Sequence, residues 1–244
     1  MTGDLFPFSL ADDGGEWEDL GGGLRRKYAI TDAGLKHFQD ACGDETITKE
    51  DLFYYVYGLL HSEEYRKRYA HNLAKELPRI PAVKSAADFR AFSEAGARLG
   101  ALHTRYEEVP MYPAKILVAK PPGTLRAEDY RVEKMQFAKG ENGEKTDRTK
   151  VIYNHVLTIS GIPMAAWDYV LGGKSALSWV MERQAVTTHK DSGIVNDAND
   201  WAAETMGNPA YPLELFLRVI TVSLETMKIV RALPSLNLLS GQAA

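Results

Sequence analysis

The chain has almost no cysteine: Cys42 stands alone among 244 residues. A lone cysteine excludes a disulfide framework and any cysteine-based zinc site, and it suits a reducing compartment. Long apolar runs are also missing, so no segment approaches the length of a membrane span. Met1 to Leu10 lacks a basic stretch followed by an apolar run, the pattern of a secretory signal. The expectation is a cytoplasmic protein with no membrane partner. The chain shows neither an internal repeat nor a low-complexity segment. Its histidines (His37, His61, His71, His103, His155 and His189) never stand with one another, or with a carboxylate, at an established metal spacing. No Ser/His/Asp set is legible, and Glu107-Glu108 reads as a helix end facing water rather than an acid–base pair. A self-contained catalyst is not expected.

What is present is an ordinary soluble composition, 45% hydrophobic and 25% charged, in a chain long enough for one large domain or two small ones. The net charge of -4 does not point to a polyanion. Its distribution is uneven: residues 1–60 carry net -7, residues 61–190 net +6 and residues 191–244 net -3. A basic middle between acidic ends is compatible with a polyanion-facing surface, and equally with a solvated mixed-charge one.

Residues 1–23 read as a short strand at Leu5-Phe6-Pro7-Phe8 and then an acidic loop through Gly21-Gly22-Gly23, an abrupt start that fits a piece of a longer polypeptide. Thr48, with Asp51 three residues on, opens a helix whose apolar stripe is Leu52, Phe53, Val56, Leu59 and Leu60. Ser62 caps a second helix, Glu63 to Leu77, with Tyr65, Tyr69, Leu73 and Leu77 inward and Arg66, Lys67 and Arg68 outward. Pro78-Arg79-Ile80-Pro81 ends it. A third helix, with Ser85 and Asp88 as capping box, runs from Ala86 to about Tyr106. Strands follow at Ala114 to Ala119, Tyr130 to Ala138 and Lys150 to Ile159, the last two joined by a hairpin whose tip is Glu141-Asn142-Gly143-Glu144. Met164 to Leu171 reads as a short helix broken at Gly172-Gly173, and a second helix starts near Lys174-Ser175. The chain closes with a short helix at Asp197 to Met206 and a long one at Pro209 to Leu233. Helices, then antiparallel strands with a hairpin, then helices predict an α+β fold.

Two local patterns suggest chemistry. Gly172-Gly173-Lys174-Ser175 resembles the end of a phosphate-cradling loop, but Asp168 stands where that loop's first glycine belongs and a helix precedes it instead of a strand. What survives is weaker: a helix start at Lys174-Ser175 would aim free N–H groups and a positive dipole at a phosphate. Asn208-Pro209-Ala210-Tyr211 resembles the NPPY signature of amino-methyltransferases, yet no glycine-rich cofactor loop accompanies it, and it reads as a turn into the last helix. The densest set of polar groups is Lys174, Ser175, Arg183, Gln184, Thr187, Thr188, His189, Lys190, Asp191 and Ser192, followed by Asn196 and Asn199. Arg, Lys, Gln and Asn pair with base edges, and Ser, Thr and Lys suit phosphates. Such residues are also common in loops, and Arg183 has Glu182 and Asp168 as alternative partners. Spacing alone favours neither reading.

The run from Asp51 to Tyr69 (DLFYYVYGLLHSEEYRKRY), ending in Leu77-Pro78-Arg79-Ile80-Pro81, resembles a motif of single-chain restriction–modification enzymes of the type ISP and related type IIG classes, just after their methyltransferase domain. Leu5-Phe6-Pro7-Phe8 looks like the lead-in strand of that region. Gly161-Ile162-Pro163, Ala166-Trp167-Asp168-Tyr169, Gly172-Gly173 and Trp179 resemble its later block, although Lys174-Ser175 replaces what in many relatives is an aromatic. The resemblance covers nearly the whole chain and implies a C-terminal target recognition domain, the specificity module that reads a short asymmetric site on double-stranded DNA. It also implies the division: residues 1–47 as an acidic lead-in from an upstream methyltransferase region, and residues 48–244 as the recognition domain, with a helical part over 48–108 and strands plus C-terminal helices over 109–244. Methyltransferase and nuclease domains would be partners in the same enzyme. S-adenosylmethionine, magnesium and ATP would belong to that parent, with no cofactor in this chain. On this reading Arg68, Arg79, Lys174 and Lys190 contact phosphates. Arg79 leads, because two prolines fix its backbone at low entropic cost. Base contacts come from residues 183–199: Arg183, Gln184, Thr188, His189 and Asn196, with Ser175 a further DNA contact. The competing readings are a protein–protein interaction scaffold, and a nucleotide-binding enzyme working through Gly172 to Ser175.

Overall fold

A computed structural model describes residues 18–22, 24–26, 29–140 and 145–238. The expected strand at Leu5 to Phe8 and the hairpin tip at Glu141 to Glu144 lie outside them. The α+β expectation holds. The described residues form two compact units: those up to Gly100 together with 232–238, and Ala101–Arg231.

The first unit opens with a small antiparallel hairpin, β1 (Glu18–Gly21) and β2 (Leu24–Arg26), in a stretch that composition alone reads as loop. Helix α1 (Asp32–Cys42) starts at Thr31, whose Oγ1 accepts the Gly34 N–H, and sends Phe38 into the core. Helix α2 (Lys49–His61) has the expected capping box between Thr48 and Asp51. Its buried stripe is Leu52, Tyr55, Val56 and Leu59; Phe53, expected inward, is exposed. The helix after Ser62 is shorter than expected. Helix α3 (Glu63–Arg68) breaks at Tyr69, where ψ moves to 19°, and α4 (Ala70–Leu73) adds one turn. Tyr65 and Tyr69 are buried, whereas Leu77 is exposed.

Helix α5 (Ala86–Thr104) starts with Ser85 Oγ accepting the Asp88 N–H at 3.0 Å. Its residues Phe89, Phe92 and Leu99 are fully buried, while Tyr106 is exposed beyond its end. Where α5 crosses α2 the backbones touch. A Cβ added at Gly96 would lie 1.8 Å from the Tyr54 carbonyl oxygen, and one at Gly58 2.3 Å from that of Phe92. Only glycine permits this approach. Asp44 and Asp51 both pair with Arg90 of α5. The Thr46 hydroxyl, then Arg90, hold the Asp44 carboxyl down at about 2.

In the second unit a four-stranded antiparallel sheet has β3 (Lys115–Val118) at one edge and β4 (Gln136–Ala138) at the other. Between them lie β5 (Asp147–Ile152) and β6 (Leu157–Ser160), in the order β3-β6-β5-β4. The β4–β5 pairing forms the predicted hairpin, but of the strand expected over 130–138 only Gln136–Ala138 pairs, and Tyr130 ends a 3₁₀ turn (Ala127–Tyr130). The single strand expected over 150–159 is two. Asn154 reverses the chain: its Oδ1 accepts from the N–H groups of Val156 and Leu157, and its Nδ2 donates to the carbonyls of Asp129 and Arg131. The next segment also differs from expectation. A 3₁₀ turn (Met164–Trp167) leads into β7 (Val170–Leu171), which pairs with β8 (Lys174–Ser175) across Gly172-Gly173. Both glycines have positive φ, 56° and 84°, as a two-residue hairpin turn requires. The glycines therefore close a hairpin instead of breaking a helix.

Helix α6 (Ala176–Arg183) follows, then a ribbon of β9 (Thr187–Thr188) and β10 (Val195–Asn196), helix α7 (Ala198–Glu204) and the long helix α8 (Tyr211–Arg231). The Asn208 to Tyr211 stretch is the turn into α8, with Asn208 Oδ1 accepting the Ala210 N–H. Leu213, Phe216, Ile220, Met227 and Val230 of α8 join Val151, Leu157 and Ile159 of the sheet and Leu177 of α6 in one core. Among the described residues no helix is long and apolar enough to cross a membrane.

Candidate nucleic-acid interface

The β9–β10 ribbon is built to project. Thr188 faces Val195 and Thr187 faces Asn196. Beyond these pairs the His189 N–H reaches the Ile194 carbonyl and the Gly193 N–H reaches the His189 carbonyl, leaving Lys190 to Gly193 as the turn, with Gly193 at φ 68°. Thr187 to Asn196 are exposed without interruption. Side chains directly opposite share a face. One face therefore carries Thr187, His189, Ile194 and Asn196, and the other Thr188 and Val195. A bond of 2.9 Å between Asn196 Nδ2 and His189 Nε2 confirms that these two share a face.

Polar clamps fix the base of the ribbon. On the β9 side the Val186 N–H donates to the Glu133 carbonyl at 2.8 Å. On the β10 side Asn199 closes a two-way bridge to the backbone of Val132: its Oδ1 accepts the Val132 N–H at 2.9 Å and its Nδ2 donates to the Val132 carbonyl at 2.7 Å. Asp197, whose side chain is 6% exposed, pairs with Arg131 at 2.5 Å. Burial pushes this carboxyl up, but bonds from Asn199 and Arg131 outweigh burial and leave it below its ordinary value. The root of the ribbon is thus tied to the rest of the unit, and its tip extends as an exposed turn.

A second group gathers on α6. Trp179 donates its ring N–H to the Leu171 carbonyl and carries two cations, Lys174 Nζ at 4.7 Å and the Arg183 guanidinium at 5.6 Å from the ring centre. Lys174 is also paired with Glu182, which lowers the Glu182 carboxyl. Asp168 is taken by Arg231 at 2.5 Å. Neither carboxylate weighed as a partner for Arg183 is bonded to it, and its guanidinium lies exposed at the end of α6.

Of the residues singled out by sequence, Thr188, His189, Lys190 and Asn196 come together on the ribbon, and Lys174 and Arg183 around Trp179. Two others serve the fold. Ser175 is buried as the N-cap of α6, its Oγ accepting the Ser178 N–H. The Ala176 N–H is spent on the Tyr169 carbonyl. Two of the N–H groups at this helix start, those of Ala176 and Ser178, are therefore spent within the fold instead of facing a phosphate. Gln184 is 5% exposed and turned inward, its Nε2 donating to the Pro212 carbonyl at 3.0 Å. It cannot reach a base edge from there.

Arg68 and Arg79 belong to the first unit. Each is exposed and paired with a neighbour on its own segment, Glu64 and Glu76 respectively. Such exposed pairs are worth at most about 1 kcal/mol, so both arginines can turn to a phosphate. The Arg79 backbone has an anchor not foreseen from the sequence: its carbonyl accepts the Tyr65 hydroxyl at 2.6 Å. The buried Tyr55 hydroxyl does the same for Pro81. Desolvation pushes Tyr65 up to about 12, keeping it a donor at any physiological pH.

Counting polar groups missed Ile194 and Val195 on the ribbon, 59% and 55% exposed, and the exposed Trp201 of α7. A signal was present: the turn formers Asp191-Ser192-Gly193 lie between the β-branched runs Val186-Thr187-Thr188 and Ile194-Val195, a hairpin pattern. An apolar groove of about 400 Å³ along β3, lined by residues including Leu117, Val118, Pro121 and Leu125, offers no comparable set of donors. Its Lys120 is paired with Asp129. Among the described residues no cluster of three or more His, Cys, Asp or Glu side chains could hold a metal ion.

Comparison with known proteins follows the same line. A family model described as the Type ISP C-terminal specificity domain matches residues 1–215. Among solved structures, the chain is similar to a nuclease-deletion mutant of the Type ISP restriction-modification enzyme LlaGI in complex with a DNA substrate mimic. That match has 38% identity over 80% of this chain and a TM-score of 0.66. It is similar to the ATP-dependent Type ISP restriction-modification enzyme LlaBIII bound to DNA, at 32% identity over 91% of this chain and a TM-score of 0.73. It is also similar to DrdV in a DNA complex, at 35% identity over 90% and a TM-score of 0.68. The chain spans 14% of the first two and 21% of the third. No curated protein matches it.

Proposed function

The chain belongs to the Type ISP C-terminal specificity-domain family, and from that premise we propose that it reads sequence on double-stranded DNA for a restriction–modification enzyme. The β9–β10 ribbon carries this reading. A two-stranded ribbon fits the major groove, about 12 Å wide, where all four base pairs are distinguishable. This one presents His189 and Asn196 on one face, already bonded to each other, on a root clamped to Val132 and Glu133. Preorganisation of this kind lowers the entropic cost of binding. Thr188 and Lys190 lie on the same ribbon, and Arg183 stands four residues before it. Lys190, Lys174, Arg68 and Arg79 supply phosphate contacts, which position the protein without specifying sequence.

Methylation and cleavage belong, on this reading, to methyltransferase and nuclease domains of the same enzyme, with S-adenosylmethionine, magnesium and ATP bound there. This chain contributes recognition and no catalytic group, and it works in the cytoplasm, where the DNA is.

The test is selection of bound duplexes from a randomised pool at low and at higher salt. One enriched asymmetric site is expected. Arg183→Ala and His189→Ala should each relax preference at particular positions, at about 1–3 kcal/mol per lost base contact. Arg79→Ala should weaken binding to all sequences alike and flatten the salt dependence by about one phosphate. Equal, sequence-independent losses from all three variants would refute the assignment. Absence of binding to any duplex at any salt would refute the function.

A further inference from the structure

The ribbon has one feature that hydrogen bonding does not explain. Ile194 lies on the face that carries His189 and Asn196, next to the turn, and is 59% exposed. Its neighbours in the turn are polar: Lys190, Asp191 and Ser192. An exposed isoleucine beside a polar turn leaves apolar surface in water, which is unfavourable until a partner covers it. The ribbon itself does not cover it. Val195 sits on the opposite face with Thr188, and the residue facing Ile194 is His189, whose ring is engaged with Asn196.

We infer that Ile194 is a specificity-determining residue that reads the C5-methyl group of a thymine in the major groove. The inference rests on the ribbon entering that groove. The chemistry follows from what the groove offers there. The edges of G, C and A present donors and acceptors, and thymine alone adds an apolar group, its methyl. A face bearing three polar side chains and one branched apolar one is complementary to an edge with hydrogen-bonding atoms next to a methyl. The position adjoining the turn puts Ile194 at the leading end of the ribbon, where the floor of the groove is met first. The residue acts by covering the methyl and excluding water from it.

The experiment uses the 244-residue chain and the duplex selected above. Each thymine is replaced in turn by uracil, which removes one methyl and leaves every hydrogen-bonding atom in place. Burial of one methyl group predicts about a three- to fivefold loss of affinity at one thymine. Ile194→Ala should lose a similar factor on the unmodified duplex, bind the uracil and thymine duplexes equally at that position, and keep the wild-type unfolding midpoint. Val195→Ala should retain the thymine preference. A selected site without thymine on either strand overturns the inference, as does a thymine preference that Ile194→Ala preserves. Both outcomes leave DNA recognition intact. If no duplex is enriched at all, the reading beneath the inference fails and the inference goes with it.

Discussion

Asn199 is the most informative residue to change, because a single side chain ties the ribbon root to the sheet side of the second unit. Asn199→Ala removes both bonds to Val132, one accepted at 2.9 Å and one donated at 2.7 Å. Val132 is fully buried, and no other partner is found for its N–H or carbonyl among the described residues. A buried polar group left unpaired costs about 1–3 kcal/mol. Two such groups, with some relief from water reaching the half-buried start of α7, come to about 2–4 kcal/mol. At roughly 2–4 °C per kcal/mol for a chain of this size, the midpoint of the second unit should fall by roughly 4–16 °C in thermal unfolding followed by circular dichroism. Amide exchange over 187–196 should quicken by more than the global change accounts for, since the root holds the ribbon in register. Asn199→Asp separates the two halves of the bridge. It keeps the acceptor for the Val132 N–H, loses the donor, and sets a second carboxylate against Asp197, now 2.6 Å from the Asn199 amide. It should be at least as damaging as alanine. A destabilisation under about 0.5 kcal/mol for Asn199→Ala, with unchanged exchange in the ribbon, would show that the clamp does not carry the root.

Other outcomes follow from the first unit. Gly96→Ala should destabilise by about 3 kcal/mol or more, because its Cβ would meet backbone, the Tyr54 carbonyl at 1.8 Å, and overpacking against backbone cannot be relieved by a rotamer change. A midpoint within error of wild type would mean that the α2–α5 crossing is looser than described. Asp44 gives a pH signature. Its folded-state value of about 2 lies below the unfolded value near 3.9, so its stabilisation is full above about pH 4 and is lost as the pH falls through about 2. Asp44→Asn should therefore be less stable than wild type at pH 7, with the gap closing between pH 4 and pH 2. A gap constant across that range would contradict the Arg90 and Thr46 contacts as its source.

The parts of this fold written in local chemistry were legible in the sequence, and those that depend on one side chain's bonding were not. Thr48 and Asp51 announce α2 because both halves of a capping box are visible as letters. The 136–152 hairpin shows as alternation on either side of a turn. The 150–159 stretch misleads because Val151, Tyr153, Val156, Leu157 and Ile159 are all apolar, and the reversal depends on Asn154 bonding four backbone groups. Gly172-Gly173 marks a break correctly but does not say which elements it separates. At the site, residue type picks out Thr188, His189, Lys190 and Asn196, which the fold gathers on one exposed ribbon that the sequence reading did not foresee. It misplaced Gln184, because a glutamine ending an amphipathic helix can turn either way and here packs against Pro212. Ile194 is not legible by residue type, because an aliphatic side chain offers no hydrogen-bonding group.

None of the ten residues from Thr187 to Asn196 is buried, and the cores of both units are complete without them. Substitutions at such positions typically change folding stability by less than about 0.5 kcal/mol. A stretch with no part in either core is therefore nearly invisible to selection for folding. On the proposed reading, the side chains of the ribbon can change at little cost to the scaffold, whereas the clamps at Val132, Asn199 and Asp197 cannot.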